Sequence, residues 1–348
     1  MGGIWGGKLG GDKEKMRPRT QIAALAVVVI IAIGTAVLPA MADTEGSSTG
    51  SFNLGNAAPS VTSITLHNAD HSDPTISAMT PQTEYAVKID ISDANTLNDI
   101  SEILVIIKTN GTGTGDSDSV TDKATYKWIP GGGGTWSKVG PTGTWDIDAS
   151  QSSEPADFGD TAGTWWLNFV PGKVAKESTT WDIYVNVTDK GSLTGDKIVW
   201  GKTMNWYGEI SAEDTSYSFG DIGLGDTNKP ISTPSDGNIN VKTISNGNYK
   251  LSSKSGNWSK GSDWAVLDWD GTLDAGHFAL KVDGSGDVST SNYVSTSSEP
   301  ITDYSNVNAP TAETGDTKEI YQWISVATSG LLPGTYSGTY YVQIANEA

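Results

Sequence analysis

From Ser60 onward, apolar side chains recur at every second position, and no long stretch keeps the 3.6-residue period of a helix. Tyr85, Val87, Ile89 and Ile91 alternate with Ala86, Lys88 and Asp90. Trp181, Ile183, Val185 and Val187 alternate with Asp182, Tyr184 and Asn186. Period two sends neighbouring side chains to opposite faces, so each stretch is a strand buried on one side. Ile103 to Ile107 is a continuous apolar run and reads as a central strand buried on both faces. The 41 glycines, with abundant Ser, Thr, Asn and Asp, supply a turn every few residues. Many short strands with frequent turns predict an all-β chain.

The strand pattern pauses near Tyr207 and starts again. With 348 residues there is room for two cores, so the expectation is two antiparallel β-sandwich domains, 57–207 and 208–348. Gly131 to Gly134 is the expected tip of a hairpin. Residues 284–316 are a long Ser/Thr/Asn/Asp-rich stretch expected to form loops. Tyr336, Gly338, Tyr340, Val342 and Ile344 alternate as the expected final strand.

The N-terminus supplies the address. Lys13, Lys15, Arg17 and Arg19 precede an uncharged stretch with an apolar core from Ile22 to Leu38, and Ala40-Met41-Ala42 follows. That order is a secretory signal peptide over 1–42, with an uncleaved transmembrane anchor as the alternative. Either way the rest of the chain is expected outside the cytoplasm, secreted or at the cell surface. Residues 43–56 read as a flexible leader. The chain has no cysteine, which removes disulfides, thiolate metal sites and cysteine nucleophiles. Its net charge is -19, and both arginines, Arg17 and Arg19, lie in the N-terminal segment. A nucleic-acid partner needs a basic footprint and is excluded on that ground. Membrane contact is expected only through the N-terminal segment, if it is uncleaved.

Ala58-Pro59-Ser60-Val61, followed by TPQTEYAVKIDISDANTLNDISEILVIIKT, resembles extracellular immunoglobulin-like modules. The second half, with SFGDIGLGD, INVKTISNGNYKL and LLPGTYSGTYYVQI, is similar to Ig-like modules of archaeal secreted and cell-envelope proteins. The resemblance covers most of residues 58–348 and is a pattern of strands and turns, with no invariant motif. It implies tandem Ig-like sandwiches in surface architecture or adhesion, and it carries over no catalytic residues.

Several local clusters carry chemistry. Asp268, Asp270 and Asp274 can offer oxygen ligands to Ca²⁺, with Gly271 allowing the bend. Asp116 with Asp118, and Asp283 with Asp287, are similar acidic loops. The same stretch, AVLDWDGTL, resembles the first motif of haloacid-dehalogenase-type phosphatases, which implies Asp268 as nucleophile and Asp270 as acid/base. That family needs a parallel sheet with helices, and only 75 residues of loop and strand follow Leu273. An Asp-Gly turn explains the residues without catalysis. His67, Asp70, His71 and Asp73 form a His/Asp cluster without zinc-site spacing. Sequons at Asn110, Asn186 and Asn257 are candidate glycosylation sites. Of 13 tryptophans, Trp165 and Trp166 are adjacent on a strand, so one faces in and the other out. The outward one is the better platform for stacking on sugars, although cross-strand packing is the commoner use of Trp.

No nucleophile elbow occurs, and three histidines with no cysteine give little support to a hydrolase triad. The expected function is a non-catalytic surface protein, structural or adhesive. Its partners would be copies of itself or other envelope proteins. A carbohydrate-binding module with glycan partners is the alternative.

Overall fold

The computed structural model describes residues 48–131 and 135–347. The expected signal segment and the hairpin tip at 132–134 lie outside them. Residues 54–348 form one compact unit; the residues before Leu54 belong to another. Among the described residues there is no α-helix, and no helix long and apolar enough to cross a membrane.

The strands of the first half are β1 (Ser60–Asn68), β2 (Ala78–Met79), β3 (Tyr85–Ser92), β4 (Ile100–Thr109), β5 (Lys123–Ile129), β6 (Thr135–Gly140), β7 (Asp146–Ile147), β8 (Ala162–Val170), β9 (Ser178–Asp189) and β10 (Thr194–Met204). One sheet runs β1-β3-β8-β7 and the other β2-β10-β9-β4-β5-β6. Alternation makes both sheets one-sided. On β3, Val87, Ile89 and Ile91 are buried, facing Val105 and Ile107 of β4 and Val185 and Val187 of β9 across a shared core. The apolar run at Ile103 to Ile107 does lie centrally, between β9 and β5.

Aromatic rings fill the middle. Trp128 meets Trp165 edge-on at 5.5 Å and stacks on Phe158 at 6.0 Å. Trp145 and Trp181 pack at 5.8 Å nearer the junction with the second half. The indole N–H groups of Trp128, Trp145 and Trp181 donate to Glu154, the Val120 carbonyl and the Lys176 carbonyl. Those bonds let large polar-tipped rings sit in the core. At Gly195 of β10 a Cβ would collide with the Pro59 carbonyl, so glycine lets the start of β1 close over this sheet.

The strands of the second half are β11 (Gly208–Ala212), β12 (Lys229–Pro230), β13 (Asn238–Ser245), β14 (Tyr249–Ser255), β15 (Trp258–Lys260), β16 (Asp263–Asp268), β17 (His277–Asp283), β18 (Asn292–Tyr293), β19 (Glu299–Pro300), β20 (Asp316–Val326) and β21 (Tyr340–Asn346). The large sheet runs β11-β13-β20-β17-β16-β15, and the small one β19-β14-β21. The small sheet cannot cover the large one alone. Phe219, Ile231, Val294 and Ile301, from loops and short connections, complete a second core around Leu251, Phe278, Leu280 and Ile320.

The structure differs from the sequence reading in two respects. The sheets are not purely antiparallel: β2 pairs parallel with β10, and β16 with β17. In the second case Gly271 (φ 81°) and Gly276 (φ 84°) turn the chain back so that β17 starts beside β16. The final strand begins at Tyr340, because residues 331–339 are taken up by turns ahead of it. Each half keeps its own apolar core.

Replacing Trp128 with Ala should destabilise the chain by about 3–5 kcal/mol, because it opens a ring-sized cavity and strands Glu154. Urea unfolding followed by tryptophan fluorescence measures this.

Candidate functional site

The adjacent tryptophans lie on β8 of the four-stranded sheet, one on each face. Trp165 stands opposite Ile89 and is buried in the first core. It is therefore corrected from a sugar-stacking candidate to a core residue. Trp166 stands opposite Lys88 and faces out. His71 lies flat on its ring at 3.9 Å and 5°, and His67 meets it edge-on at 4.9 Å. Asn168, two residues along, locks this arrangement. Its Oδ1 accepts from His71 Nε2 at 2.8 Å, and its amide donates to the Ala69 carbonyl and to Glu84, each at 2.9 Å. One face of Trp166 is thus occupied by the protein itself. The most exposed indoles are Trp200, Trp264 and Trp269, at 62%, 59% and 66%. The alternation of β16, with Ala265 and Leu267 inward, already pointed to an outward Trp264.

Both histidines of the cluster near residue 70 have structural duties. His67 Nδ1 donates to the His71 carbonyl at 3.2 Å, and its Nε2 accepts from the Thr65 hydroxyl at 2.9 Å. A neutral ring satisfies both bonds, and burial pulls the His67 pKa below its ordinary value. Asp70 and Asp73 cap their own turns through Ser72 and Thr75.

The acidic loop after β16 does not assemble as expected. Asp268, Asp270 and Asp274 do not bring their oxygens together as a metal-sized group. Asp268 faces His277 Nδ1 at 3.2 Å, and Asp270 accepts from the Thr272 N–H at 2.8 Å. Asp283 is likewise consumed by its turn, accepting from Ser285, Gly286 and Thr290. Asp118 accepts from Thr125 and lies 3.8 Å from Lys123. Among the described residues a different trio converges: Asp93, Asp99 and Asp189. The sequence signal was the D-x-N-x-x-x-D spacing in DANTLND, between β3 and β4. Its third carboxylate lies 90 residues further on (189 − 99) and joins only through the fold.

The sequons occupy three kinds of surface. Asn110 is exposed in the turn after β4. Asn186 is half-buried on the central strand β9, opposite Leu104. Asn257 is exposed, but its side-chain oxygen already accepts the Leu267 N–H at 2.9 Å.

The two cores meet through polar groups. Buried Asn246 donates to the carbonyls of Ala175 and Asn205, both at 2.8 Å, and accepts the Tyr207 N–H at 2.6 Å. Its carbonyl accepts the Glu177 N–H at 3.0 Å. Glu313 accepts from both the backbone and the hydroxyl of Thr144, at 2.7 and 2.5 Å. Lys173 and Glu209 pair at 2.8 Å. Burial raises the Glu209 pKa, but the bonds from Lys173 and Tyr207 outweigh it and leave the carboxyl below its usual range. Beside this junction lies an open cleft of about 650 Å³, bordered by Asp122, Lys176, Asn248, Asn306 and Pro310.

No protein-family profile matches the chain, and no curated protein does. Among solved structures, "Crystal structure of collagen adhesin (CNA) from S. aureus" is 13% identical, covering 82% of this chain and 95% of that chain, with a TM-score of 0.14. A superposition that poor carries no argument.

Asn246→Ala should cost about 2 kcal/mol, since it strands the buried Ala175 carbonyl and removes the bonds to the Asn205 carbonyl and the Tyr207 N–H; urea midpoints at fixed pH measure it. His67 sets a pH dependence. Unfolded, it takes up a proton near 6.5, while the folded ring resists protonation. Stability is therefore expected to be full above that pH and to decline as pH falls below it. Urea midpoints between pH 8 and 5 should fall, and His67→Gln should flatten that part of the curve.

Proposed function

We propose that this chain is a non-catalytic extracellular surface protein, structural or adhesive, that assembles with its own copies or with other envelope proteins. The observation that supports this best is the junction at Asn246. It fixes one sandwich to the next with directional hydrogen bonds from one buried side chain. A component that spans distance or carries load needs such a fixed joint, because a flexible linker would let its modules swing freely. The basic and apolar N-terminal pattern and the resemblance to Ig-like envelope modules belong to the same reading.

A route to assembly lies in the leader. Phe52 and Leu54 alternate with polar neighbours and are 88% and 82% exposed. Two apolar side chains at strand spacing suit addition to an open sheet edge of a neighbouring molecule. The terminal strand is not free for that role, because β21 is paired with β14 along Tyr340 to Asn346. Light scattering on residues 43–348 tests the proposal. The expected result is an oligomer that grows with concentration and reverts to monomer when Phe52 and Leu54 are both replaced by Ser. A monomer at every concentration would overturn the self-assembly route.

The exposed indoles Trp264 and Trp269 favour a second reading, a carbohydrate-binding surface. Binding on a glycan array that is lost in Trp264→Ala or Trp269→Ala would favour it over the structural role.

A further inference from the structure

At one end of the first sandwich, the segment from Asp93 to Asp99 meets the turn after β9. Asp93, Asp99 and Asp189 each place a carboxylate oxygen there, and the three oxygens lie within 4.8 Å of one another. Asp93 and Asp189 are only 2% and 1% exposed. Among the described residues no lysine or histidine forms an ion pair with any of the three. The nearby Lys190 sends its ammonium to the Asn98 carbonyl instead, at 2.5 Å.

Hydrogen bonds account for only part of this charge. Asp189 accepts the Leu193 N–H on Oδ1 and the Asn56 amide on Oδ2, both at 2.8 Å. Asp93 accepts the Asn95 N–H on Oδ1 at 2.7 Å. Its Oδ2 is buried with no hydrogen-bond partner. A buried carboxylate oxygen without a donor is stable only if a proton or a cation takes the donor's place.

We propose that Asp93, Asp99 and Asp189 form a binding site for a divalent cation of the Ca²⁺ type. Hard oxygen ligands select such an ion, and Ca²⁺–oxygen distances of about 2.3–2.6 Å put opposite ligands about 4.8 Å apart. The oxygens of the trio lie within that limit of one another. A cleft of about 520 Å³ borders Asp99, with Asn56, Asn95 and Asn98 in its wall, and gives the ion a way in and further oxygen ligands. The site also holds the leader: Asn56 binds Asp189, and the Ala57 N–H donates to the Asn95 side chain at 2.7 Å. Cation binding therefore steadies the entry of the chain into β1.

The test is thermal unfolding of the full chain in non-ionic detergent, read by intrinsic tryptophan fluorescence, with CaCl₂ or with chelator. Calcium at a hundredfold excess over Kd should raise Tm by about 5 °C, saturably. Asp99→Asn should abolish that rise. Asp93→Asn should abolish it too, yet raise Tm in chelator, because it removes the uncompensated charge. Loss of a merely structural carboxylate would lower Tm in both conditions. Asp268→Asn should keep the full response. No saturable rise in the unaltered chain, or a rise that survives Asp93→Asn and Asp99→Asn, would overturn the proposal.

Discussion

The buried side chain of Asn246 is the hub of the polar contacts that join the two halves, with Glu313 on Thr144 and Lys173 on Glu209 beside it. Each half of the chain has its own apolar core, one closing at Met204 and the other beginning in earnest at Phe219. Between them the contact is polar and directional. One amide group reaches the carbonyls of Ala175 and Asn205 and receives the Tyr207 N–H. Such groups are costly to bury unless each partner is present, so the junction has one favourable geometry and few alternatives. Gly247 adds to this, because a Cβ there would collide with the Glu177 carboxylate.

Most of the sheet architecture was legible from alternation. The inward set on β3, β8 and β9 follows from period two, as does the opposite fate of Trp165 and Trp166. What alternation could not show was pairing between distant segments. The parallel contact of β16 with β17 depends on two glycines at positive φ, and the sequence around them reads equally well as a hairpin turn. The acidic loops failed as a guide for a related reason. Aspartates close in sequence, such as Asp268 and Asp270, are consumed by their own turns, which is the usual use of Asp in loops. The convergent trio draws Asp189 from a distant strand end, and only the fold brings it in. Asn246 was equally hidden, because a lone Asn in an Asn-rich chain has no local pattern.

The functional reading rests on how the surfaces are used. Polar side chains on the outer faces are engaged with their neighbours, as His71 and Asn168 are around Trp166. The most exposed large apolar side chains among the described residues are Phe52 and Leu54 of the leader and, after them, Trp269, Trp200 and Trp264. Two sandwiches joined by directional hydrogen bonds, with the chain held at Asn56 and Ala57 as it enters β1, fit the surface role proposed above. An acidic surface keeps such a component soluble, and divalent cations are its natural counterions.

Scanning calorimetry of the full chain tests the role of the junction most directly. If Asn246 and its partners couple the two cores, both melt in one endotherm whose calorimetric and van't Hoff enthalpies agree. Two resolved endotherms, one for each core, would mean that the halves fold independently and that the fixed joint is not there in solution.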